Sequence, residues 1–318
     1  MASLRELAKR PEYIAPGHRA CSGCIPIVAF HHVMRSINPE DGVVVGTATG
    51  CMEVVTTIYP YTSWRVPWIH NAFENVAATI SGVEAAYQSF KRQGKIDPNK
   101  KIKFIAFGGD GGTYDIGLQA LSGAMERGHD MLYVCYDNEA YMNTGIQRSS
   151  ATPLAADTKT APVGKERKGK TQYPKPLTEI MAAHGIPYAA QAVVSHWKDL
   201  NRKVEKALSI EGPTFINILA PCPPGWRFKE DMGVELSRLA VETCFWPLYE
   251  VENGVYKLNY KPREKLPVTE FMKHQGRFRH LFREENKHLL EAAQKWVDDR
   301  WEHLLRMVEA TKPKEQAA

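Results

Sequence analysis

The chain has 318 residues and a formal net charge of +5, with 43% hydrophobic and 24% charged residues, which is an ordinary composition for a globular protein. No apolar run is long enough to span a membrane, and the N-terminal residues lack the apolar core of a signal peptide. Basic residues do not alternate with aromatic ones as they do on many nucleic-acid-binding surfaces. We therefore expect a cytoplasmic protein with no membrane and no nucleic-acid partner.

Residues up to 226 alternate between apolar runs and helical patterns. The apolar runs predict strands, which lie at 43–46, 102–107, 131–136, 186–192 and 214–219. Apolar residues at helical spacing predict helices, which follow residue 75 and cover 177–184 and 197–208. This alternation predicts an α/β fold with a doubly wound, mostly parallel sheet. We assign residues 1–226 to this domain.

Two segments depart from the alternation. Residues 146–176 are rich in Ser, Thr, Lys, Pro and Gly, so we expect a long loop that contacts a subunit or covers a site, with the basic run 165–175 in solvent. Residues 227–318 are predicted to form a C-terminal extension that packs on the core or on partner subunits. It contains a hairpin at 249–251 and 255–258, a helix at 284–308 with an apolar stripe, and a flexible tail.

The most informative motif is Gly109-Asp110-Gly111, which directly follows the predicted strand 102–107. About thirty residues later, the next predicted strand ends in Asp137-Asn138. In a βαβ unit both strand ends lie at the same edge of the sheet. A carboxylate and an amide oxygen are hard ligands suited to a Mg²⁺ ion that also holds a diphosphate, and glycines leave room for phosphate near the backbone. A tight glycine turn is the alternative for the first motif alone.

The six cysteines fall into two groups. Cys21 and Cys24 form a C-x-x-C motif, which fits a zinc half-site, a redox pair, an iron–sulfur half-site or chance. Cys51 and Cys222 each follow a predicted strand, so all four thiols can meet at one edge of the sheet, as a [4Fe–4S] cluster requires. Spacing alone leaves the cluster and a chance placement equally open. Cys135 and Cys244 lie among apolar residues and are expected to be buried hydrophobic side chains. Their apolar neighbours in sequence are Leu132, Tyr136, Val241, Phe245 and Trp246.

Seven segments together resemble the β subunits of the 2-oxoacid:ferredoxin oxidoreductases and, within that family, those of the pyruvate:ferredoxin oxidoreductases (pyruvate synthases). They occur in the family's order and cover nearly the whole chain: GHRACSGC, TATGCMEV, PWIHNAFENVAA, FGGDGGTYDIG, CYDNEAYMNTGIQRSSATP, APCPPGW and PVTEFMKHQGRFRHL. One departure is visible, because Ile25-Pro26 follows Cys24 where the family usually has Gly.

The resemblance implies three cofactors, which are thiamine diphosphate, Mg²⁺ and one [4Fe–4S] cluster. It implies that Asp110, Asn138 and the backbone carbonyl of Ala140 bind Mg²⁺, and that Cys21, Cys24, Cys51 and Cys222 bind the cluster. Asn143 is the candidate catalytic residue. The candidate cofactor-binding residues are Gly50, Cys51, Gly109, Asp110, Gly111, Gly112, Asn138, Ala140, Asn143 and Thr144. The fold implied is a doubly wound sheet of the thiamine diphosphate-binding type.

The resemblance also implies an activity, namely the reversible oxidative decarboxylation of pyruvate with coenzyme A to acetyl-CoA and CO₂, with electrons passed through the cluster to ferredoxin. It implies α, γ and ferredoxin-like δ subunits as partners, with a glutamate from the α subunit acting on the coenzyme. Three alternatives stay open at this point. The enzyme could act on another 2-oxoacid such as oxalate or 2-oxoisovalerate, it could be a non-oxidative thiamine diphosphate-dependent decarboxylase, or the chain could be a zinc-binding assembly subunit.

Overall fold

A computed structural model describes residues 3–313, and the last five residues of the predicted tail lie outside this range. Within residues 3–313 a single eight-stranded sheet forms the centre of the molecule. Its strands are β1 (Gly42–Ala48), β2 (Trp68–Asn71), β3 (Ile102–Gly109), β4 (Leu132–Asp137), β5 (Tyr188–Val193), β6 (Thr214–Leu219), β7 (Tyr249–Glu252) and β8 (Val255–Leu258).

The helices of the described part surround this sheet. They are α1 (Leu4–Leu7), α2 (Ile25–Arg35), α3 (Cys51–Thr56), α4 (Val76–Arg92), α5 (Leu118–Glu126), α6 (Leu177–Ala182), α7 (Trp197–Ser209), α8 (Pro223–Trp226), α9 (Gly233–Glu242), α10 (Val268–Met272) and α11 (Lys287–Ala310). Short 3₁₀ turns lie at Val194–His196, Glu230–Met232, Gly276–Phe282 and Glu284–Asn286.

The strand order is β2-β1-β3-β4-β6-β5-β7-β8, and all pairs up to β5 are parallel. The doubly wound, mostly parallel sheet predicted from the sequence is thus confirmed. After β1 the chain moves to one side of the sheet and after β3 it moves to the other. In open α/β sheets this switch opens a crevice at the carboxyl ends of the two strands, which is where ligands bind.

The predicted strands are all present, with ends that differ by a few residues, but β2 was not predicted. Its four residues follow Pro67 and include an exposed histidine, so their pattern does not stand out as a strand. The predicted hairpin forms β7 and β8, and β7 pairs with β5 in antiparallel fashion. The hairpin therefore adds two strands to the sheet.

Three apolar cores hold the layers together. Helices α2 and α7 cover one face of the sheet, with Phe30, Phe107 and Ile216 fully buried between them. Helices α4, α5 and α6 cover the other face and enclose Cys135. The third core lies under α9, α10 and α11 and contains Cys244 and the apolar stripe of α11. Cys135 and Cys244 are buried, in agreement with the sequence.

A π-helical turn, Gly111–Ile116, follows β3 directly. Its wider winding is visible in the hydrogen bond of 2.7 Å that the Gly117 amide donates to the Gly112 carbonyl, five residues back. The turn points Tyr114 into the interior. There the Tyr114 hydroxyl donates to Asp137 at 2.5 Å and accepts a hydrogen bond of 2.7 Å from Asn217. A buried polar network thereby ties the turn to β4 and β6.

The segment 146–176 contains neither an α-helix nor a strand of the sheet, as predicted. Lys165 and Arg167 are exposed, but the prediction that the whole basic run is in solvent was wrong for Lys170. The Lys170 ammonium group is buried and donates to the carbonyl oxygens of Ser150 and Thr152. It stabilises the loop because it satisfies carbonyl groups that have no partner in a helix or sheet.

In residues 3–313 we find no helix with the length and apolar character needed to cross a membrane.

Candidate active site

A cavity of about 300 Å³ lies at the carboxyl ends of β1, β3 and β4. All ten residues that the resemblance assigns to cofactor binding line it, together with Thr49, Phe73, Tyr136, Tyr141 and Met142. The loops after β1 and β3 diverge here, so the cavity occupies the crevice expected at the switch point of the sheet. The structure thus brings together residues that lie as much as 94 positions apart in the chain, from Gly50 to Thr144.

Three oxygen-bearing groups meet at the floor of this cavity. The end of the Asn138 amide that faces them lies 2.8 Å from Oδ1 of Asp110 and 2.9 Å from the carbonyl oxygen of Ala140. If that end is the NH₂ group, it donates to both oxygens. If it is the oxygen, three oxygens meet with no proton between them. Adjacent ligands of octahedral Mg²⁺ are about 3 Å apart, so a bound Mg²⁺ would select the second orientation and fits these residues.

The carboxylate of Asp110 is buried and has no cationic partner among the described residues. Burial raises its pKa well above the ordinary value, and the neighbouring carboxylate of Asp137 raises it further. The Ser149 hydroxyl and the backbone N–H of Asn138 donate hydrogen bonds that partly offset this rise. A bound cation would stabilise a buried anion in such surroundings. The three oxygens provide a site for such a cation.

The glycines of the first motif serve packing as well as access. A Cβ atom on Gly111 would lie 2.4 Å from the ring of Tyr141, and one on Gly109 would lie 3.2 Å from Tyr136. The Tyr141 hydroxyl donates a hydrogen bond of 2.8 Å to the Gly111 carbonyl. Part of the space that we expected the glycines to leave for phosphate is therefore taken by aromatic rings.

The four cysteines that the resemblance assigns to a cluster each precede or begin a helix, and Cys51 also lines the cavity. Cys21 and Cys24 precede α2, Cys51 begins α3 and Cys222 directly precedes α8. The backbone amides of Ile27 and Gly225 lower the pKa of Cys24 and of Cys222, respectively. Amide groups at helix starts carry a partial positive charge and stabilise thiolates. The local structure is thus suited to thiolate ligands.

The electrostatics of the thiols show that they are close together. Burial, with a smaller contribution from the charges of Cys222, Cys24 and Cys21, raises the pKa of Cys51 to about 12. Burial, again with smaller contributions from neighbouring thiols, raises the pKa of Cys222 to about 12 and that of Cys24 to about 11. Each pair among the four interacts in this way. Such a group of thiols becomes stable as thiolates when iron neutralises their charge.

Within residues 3–313, no three His, Cys, Asp or Glu side chains are arranged around one point to hold a single metal ion. A zinc site would need its thiolates within about 2.3 Å of one ion. In a [4Fe–4S] cluster each thiolate binds a different iron, so the four sulfurs surround a larger volume.

Two residues at the mouth of the cavity remain accessible. Asn143 and Thr144 are both exposed. The Thr144 hydroxyl donates to Gln147 at 2.6 Å, whereas the Asn143 amide makes no hydrogen bond to another residue of the 3–313 range. A polar group at the rim of a cavity with unused donors and acceptors is available to bind a ligand.

Sequence reasoning missed five residues that line the cavity. Tyr141 directly follows the predicted ligand Ala140, and Tyr136 lies two residues before Asn138, so their aromatic character near these positions was the available signal. Thr49 and Phe73 belong to matched segments but have no chemistry that singles them out. Thr49 donates to the Asn71 carbonyl and contacts the ring of His70, both at 2.9 Å, and so joins β1 to β2. Glu74, a second polar residue of that region, is exposed and does not line the cavity.

Comparisons with known proteins agree with this geometry. Residues 45–218 match the family described as thiamine pyrophosphate enzyme, C-terminal TPP binding domain. The chain is 56% identical to a pyruvate synthase subunit PorB of Thermotoga maritima, over 98% of its own length and 96% of that protein. It is 44% identical to a ketoisovalerate oxidoreductase subunit VorB of Pyrococcus abyssi, over 92% of each chain.

The fold is also found in a solved structure, the 2-oxoglutarate:ferredoxin oxidoreductase from Magnetococcus marinus. It covers 71% of this chain and 79% of that chain with a TM-score of 0.54 and 21% identity. The match to the thiamine pyrophosphate domain includes the strands that carry Asp110 and Asn138. From this and the identity over nearly its full length, the chain belongs to the PorB family of pyruvate synthase subunits, which are thiamine diphosphate-dependent 2-oxoacid:ferredoxin oxidoreductases.

Proposed function

We propose that this chain binds thiamine diphosphate through Mg²⁺ and one [4Fe–4S] cluster next to it. The observation that carries the proposal is the position of Cys51. Cys51 lines the cavity that contains the three oxygens. The charges of the other three thiols and of the Asp110 carboxylate act on its thiol. The two candidate sites therefore share a wall. One-electron transfer from a coenzyme to a cluster requires such proximity.

The residues of the cavity take distinct roles in this proposal. Asp110, the amide oxygen of Asn138 and the Ala140 carbonyl would hold a Mg²⁺ ion, which would supply positive charge for the diphosphate. When bound, thiamine diphosphate supplies the carbon nucleophile and the electron sink for decarboxylation of a 2-oxoacid. The rings of Tyr136 and Tyr141 exclude water from the metal and so strengthen its electrostatic hold on the diphosphate.

Asn143 is the catalytic residue in this proposal. Its free amide at the mouth of the cavity has both a donor and an acceptor, so it can orient the 2-oxoacid as the substrate enters.

The cavity is open at this mouth, which supports a second chain that completes the site. We infer that α, γ and ferredoxin-like δ subunits are the partners, that ferredoxin accepts the electrons, and that coenzyme A accepts the acetyl group.

Pyruvate is the proposed 2-oxoacid because the relative with the higher identity is named a pyruvate synthase subunit. The relative named ketoisovalerate oxidoreductase subunit supports 2-oxoisovalerate as the alternative substrate. Turnover of a 2-oxoacid panel by the assembled enzyme separates the two. Acetaldehyde rather than acetyl-CoA as the product from pyruvate would support the non-oxidative decarboxylase instead. A cytoplasmic location remains a prediction from the sequence.

The test of the proposal is metal analysis of the complex, co-expressed with its partner subunits and purified without oxygen. We expect Cys222→Ser to lose about four irons per copy of this chain relative to the wild type, because a [4Fe–4S] cluster has four irons. Cys244→Ser is the matched control, since Cys244 is buried in the third core and should retain all iron. Equal iron in wild type and Cys222→Ser would contradict the cluster, and no binding of thiamine diphosphate would contradict the coenzyme site. The isolated chain should not reduce viologen dye with pyruvate.

A further inference from the structure

Arg277 places a positive charge in the interior next to the candidate site. It comes from the 3₁₀ turn Gly276–Phe282 in the C-terminal part of the chain, and its side chain is 2% exposed. Arginine is rarely buried to this extent without a paired charge. Here the partner is Glu139, whose side chain is also 2% exposed and which accepts a hydrogen bond from the guanidinium. This ion pair includes none of the proposed metal or cluster ligands, so its role is a separate question.

The first element that Arg277 holds is the loop 138–140. Glu139 lies between two of the proposed Mg²⁺ ligands, and its φ of +64° is in the left-handed region that residues with a Cβ avoid. Its amide donates to Asp137 at 3.0 Å and its carbonyl accepts from the Thr152 hydroxyl at 2.6 Å. The ion pair with Arg277 adds the side-chain anchor. This conformation sets the directions of the Asn138 amide and the Ala140 carbonyl.

The second element is the loop that carries Cys222. The guanidinium carbon of Arg277 lies 3.9 Å from the centre of a Trp226 ring, so the two groups stack. The Trp226 amide donates to the Cys222 carbonyl, and its indole N–H donates to the Asn138 carbonyl, both at 2.8 Å. Arg277 therefore contacts both loops, because Trp226 belongs to the proposed cluster loop and Glu139 to the proposed metal loop.

The charge of Arg277 also acts on a proposed cluster ligand. Its guanidinium stacks on Trp226, and the Trp226 amide donates to the Cys222 carbonyl, so a single residue separates the charge from this ligand. A buried cation at this place stabilises the additional negative charge of a reduced cluster, because charges interact strongly in low-dielectric surroundings. The reduced state is then favoured, which corresponds to a higher midpoint potential.

We propose that Arg277 is a positioning residue that fixes the Cys222 loop and the 138–140 loop relative to each other, and that its buried charge makes the cluster easier to reduce. This inference rests on the proposed function. Its two parts have different chemical requirements. Positioning needs the planar fork and the stacking of a guanidinium, whereas the effect on the cluster needs only a positive charge.

The experiment compares Arg277→Met and Arg277→Lys in the co-expressed complex, with two readouts: the midpoint potential of the cluster by EPR-monitored redox titration, and the dissociation constant of thiamine diphosphate at fixed Mg²⁺. We expect Arg277→Met to shift the potential to a more negative value and to weaken coenzyme binding about tenfold, the effect typical of residues that orient metal ligands. We expect Arg277→Lys to keep the wild-type potential but to weaken binding as much as Met does.

Arg279→Met is the matched control, because Arg279 lies two residues on, is exposed and forms no ion pair within residues 3–313. It should match the wild type in both readouts. Should Arg277→Met fail to fold, the Lys variant decides: binding equal to that of the wild type overturns the positioning role. A folded Arg277→Met protein with the wild-type potential and binding overturns the whole inference. A wild-type complex with neither a cluster signal nor coenzyme binding overturns the proposed function instead.

Discussion

The hydroxyl of Ser149 donates a hydrogen bond to Oδ2 of Asp110, although the two residues are 39 positions apart. Ser149 belongs to the segment 146–176, and it is fully buried. The amide of Ala151 in turn donates to the Ser149 oxygen at 3.2 Å. The long loop therefore orients the carboxylate from the side opposite the proposed metal, so its role includes support of the site.

Replacement of Ser149 by alanine should weaken binding of thiamine diphosphate at fixed Mg²⁺ by about tenfold, because the carboxylate loses the group that orients it. Calorimetric titration of the complex measures this change. Ser150→Ala is the control, since the Ser150 side chain makes no hydrogen bond to another residue of the described range. Equal binding by both variants would show that the loop does not support Asp110.

Replacement of Gly111 by alanine should destabilise the chain by about 1–3 kcal/mol, because a Cβ at this position would lie 2.4 Å from the Tyr141 ring. Chemical denaturation measures the change in the free energy of unfolding. Gly164→Ala is the control, as a Cβ there meets no atom within 4 Å and the residue is in a surface turn. A stability of Gly111→Ala equal to that of the wild type would mean that Tyr141 moves aside at no cost.

Replacement of Asn143 by alanine should lower kcat for pyruvate oxidation by about 100-fold, the effect of removing one donor at a reacting carbonyl. Iron content and stability should stay unchanged, because the side chain makes no hydrogen bond within the described residues. Asn99→Ala, at an exposed position outside the cavity lining, controls for general effects. Wild-type kcat in Asn143→Ala would remove the residue from the catalytic role that we propose.

The buried carboxylate of Glu250 on β7 should make stability depend on pH. Burial alone would raise its pKa, but hydrogen bonds from Arg202 and Tyr188 and the charge of Lys206 lower it to about 2. A carboxylate with a lowered pKa stabilises the fold above the unfolded-state pKa of about 4.5. This contribution is therefore complete at pH 7 and is lost as the pH falls from about 4.5 to about 2.

Glu250→Gln should accordingly cost about 1–3 kcal/mol at pH 7, the value typical of hydrogen bonds to a charged group. The difference from the wild type should shrink when urea denaturation is repeated below pH 4. Glu252→Gln is the control, because Glu252 is half exposed and pairs with Lys206 alone among the described residues. A constant difference across this pH range would show that the Glu250 charge is not the cause.

Much of the fold and the outline of the site could be predicted from the sequence. Strands β3, β4 and β6 are buried on both faces, so each reads as a continuous apolar run, and the polar residue that ends such a run lies at the edge of the sheet. That is why Asp110, Asn138 and Cys222 could be placed at one edge before the structure was known.

Other features depend on contacts between distant segments and leave no local signal. Arg277 lies in a polar stretch where an arginine is normally exposed, but it is buried because it pairs with Glu139 and stacks on Trp226. Lys170 is part of a basic run, and it is buried because loop carbonyls surround it. Strand β2 is too short to show a period. In each case the tertiary environment overrides the tendency of the residue itself.

The π-helical turn after Asp110 limits how this part of the chain can change in length. A helix turns by about 100° per residue, so deletion of one residue from 111–116 would restore an ordinary helical turn but rotate Tyr114 away from Asp137 and Asn217. Insertions and deletions should therefore be tolerated at exposed turns such as 164–168 and rejected here. The segment is constrained in number of residues as well as in their identity.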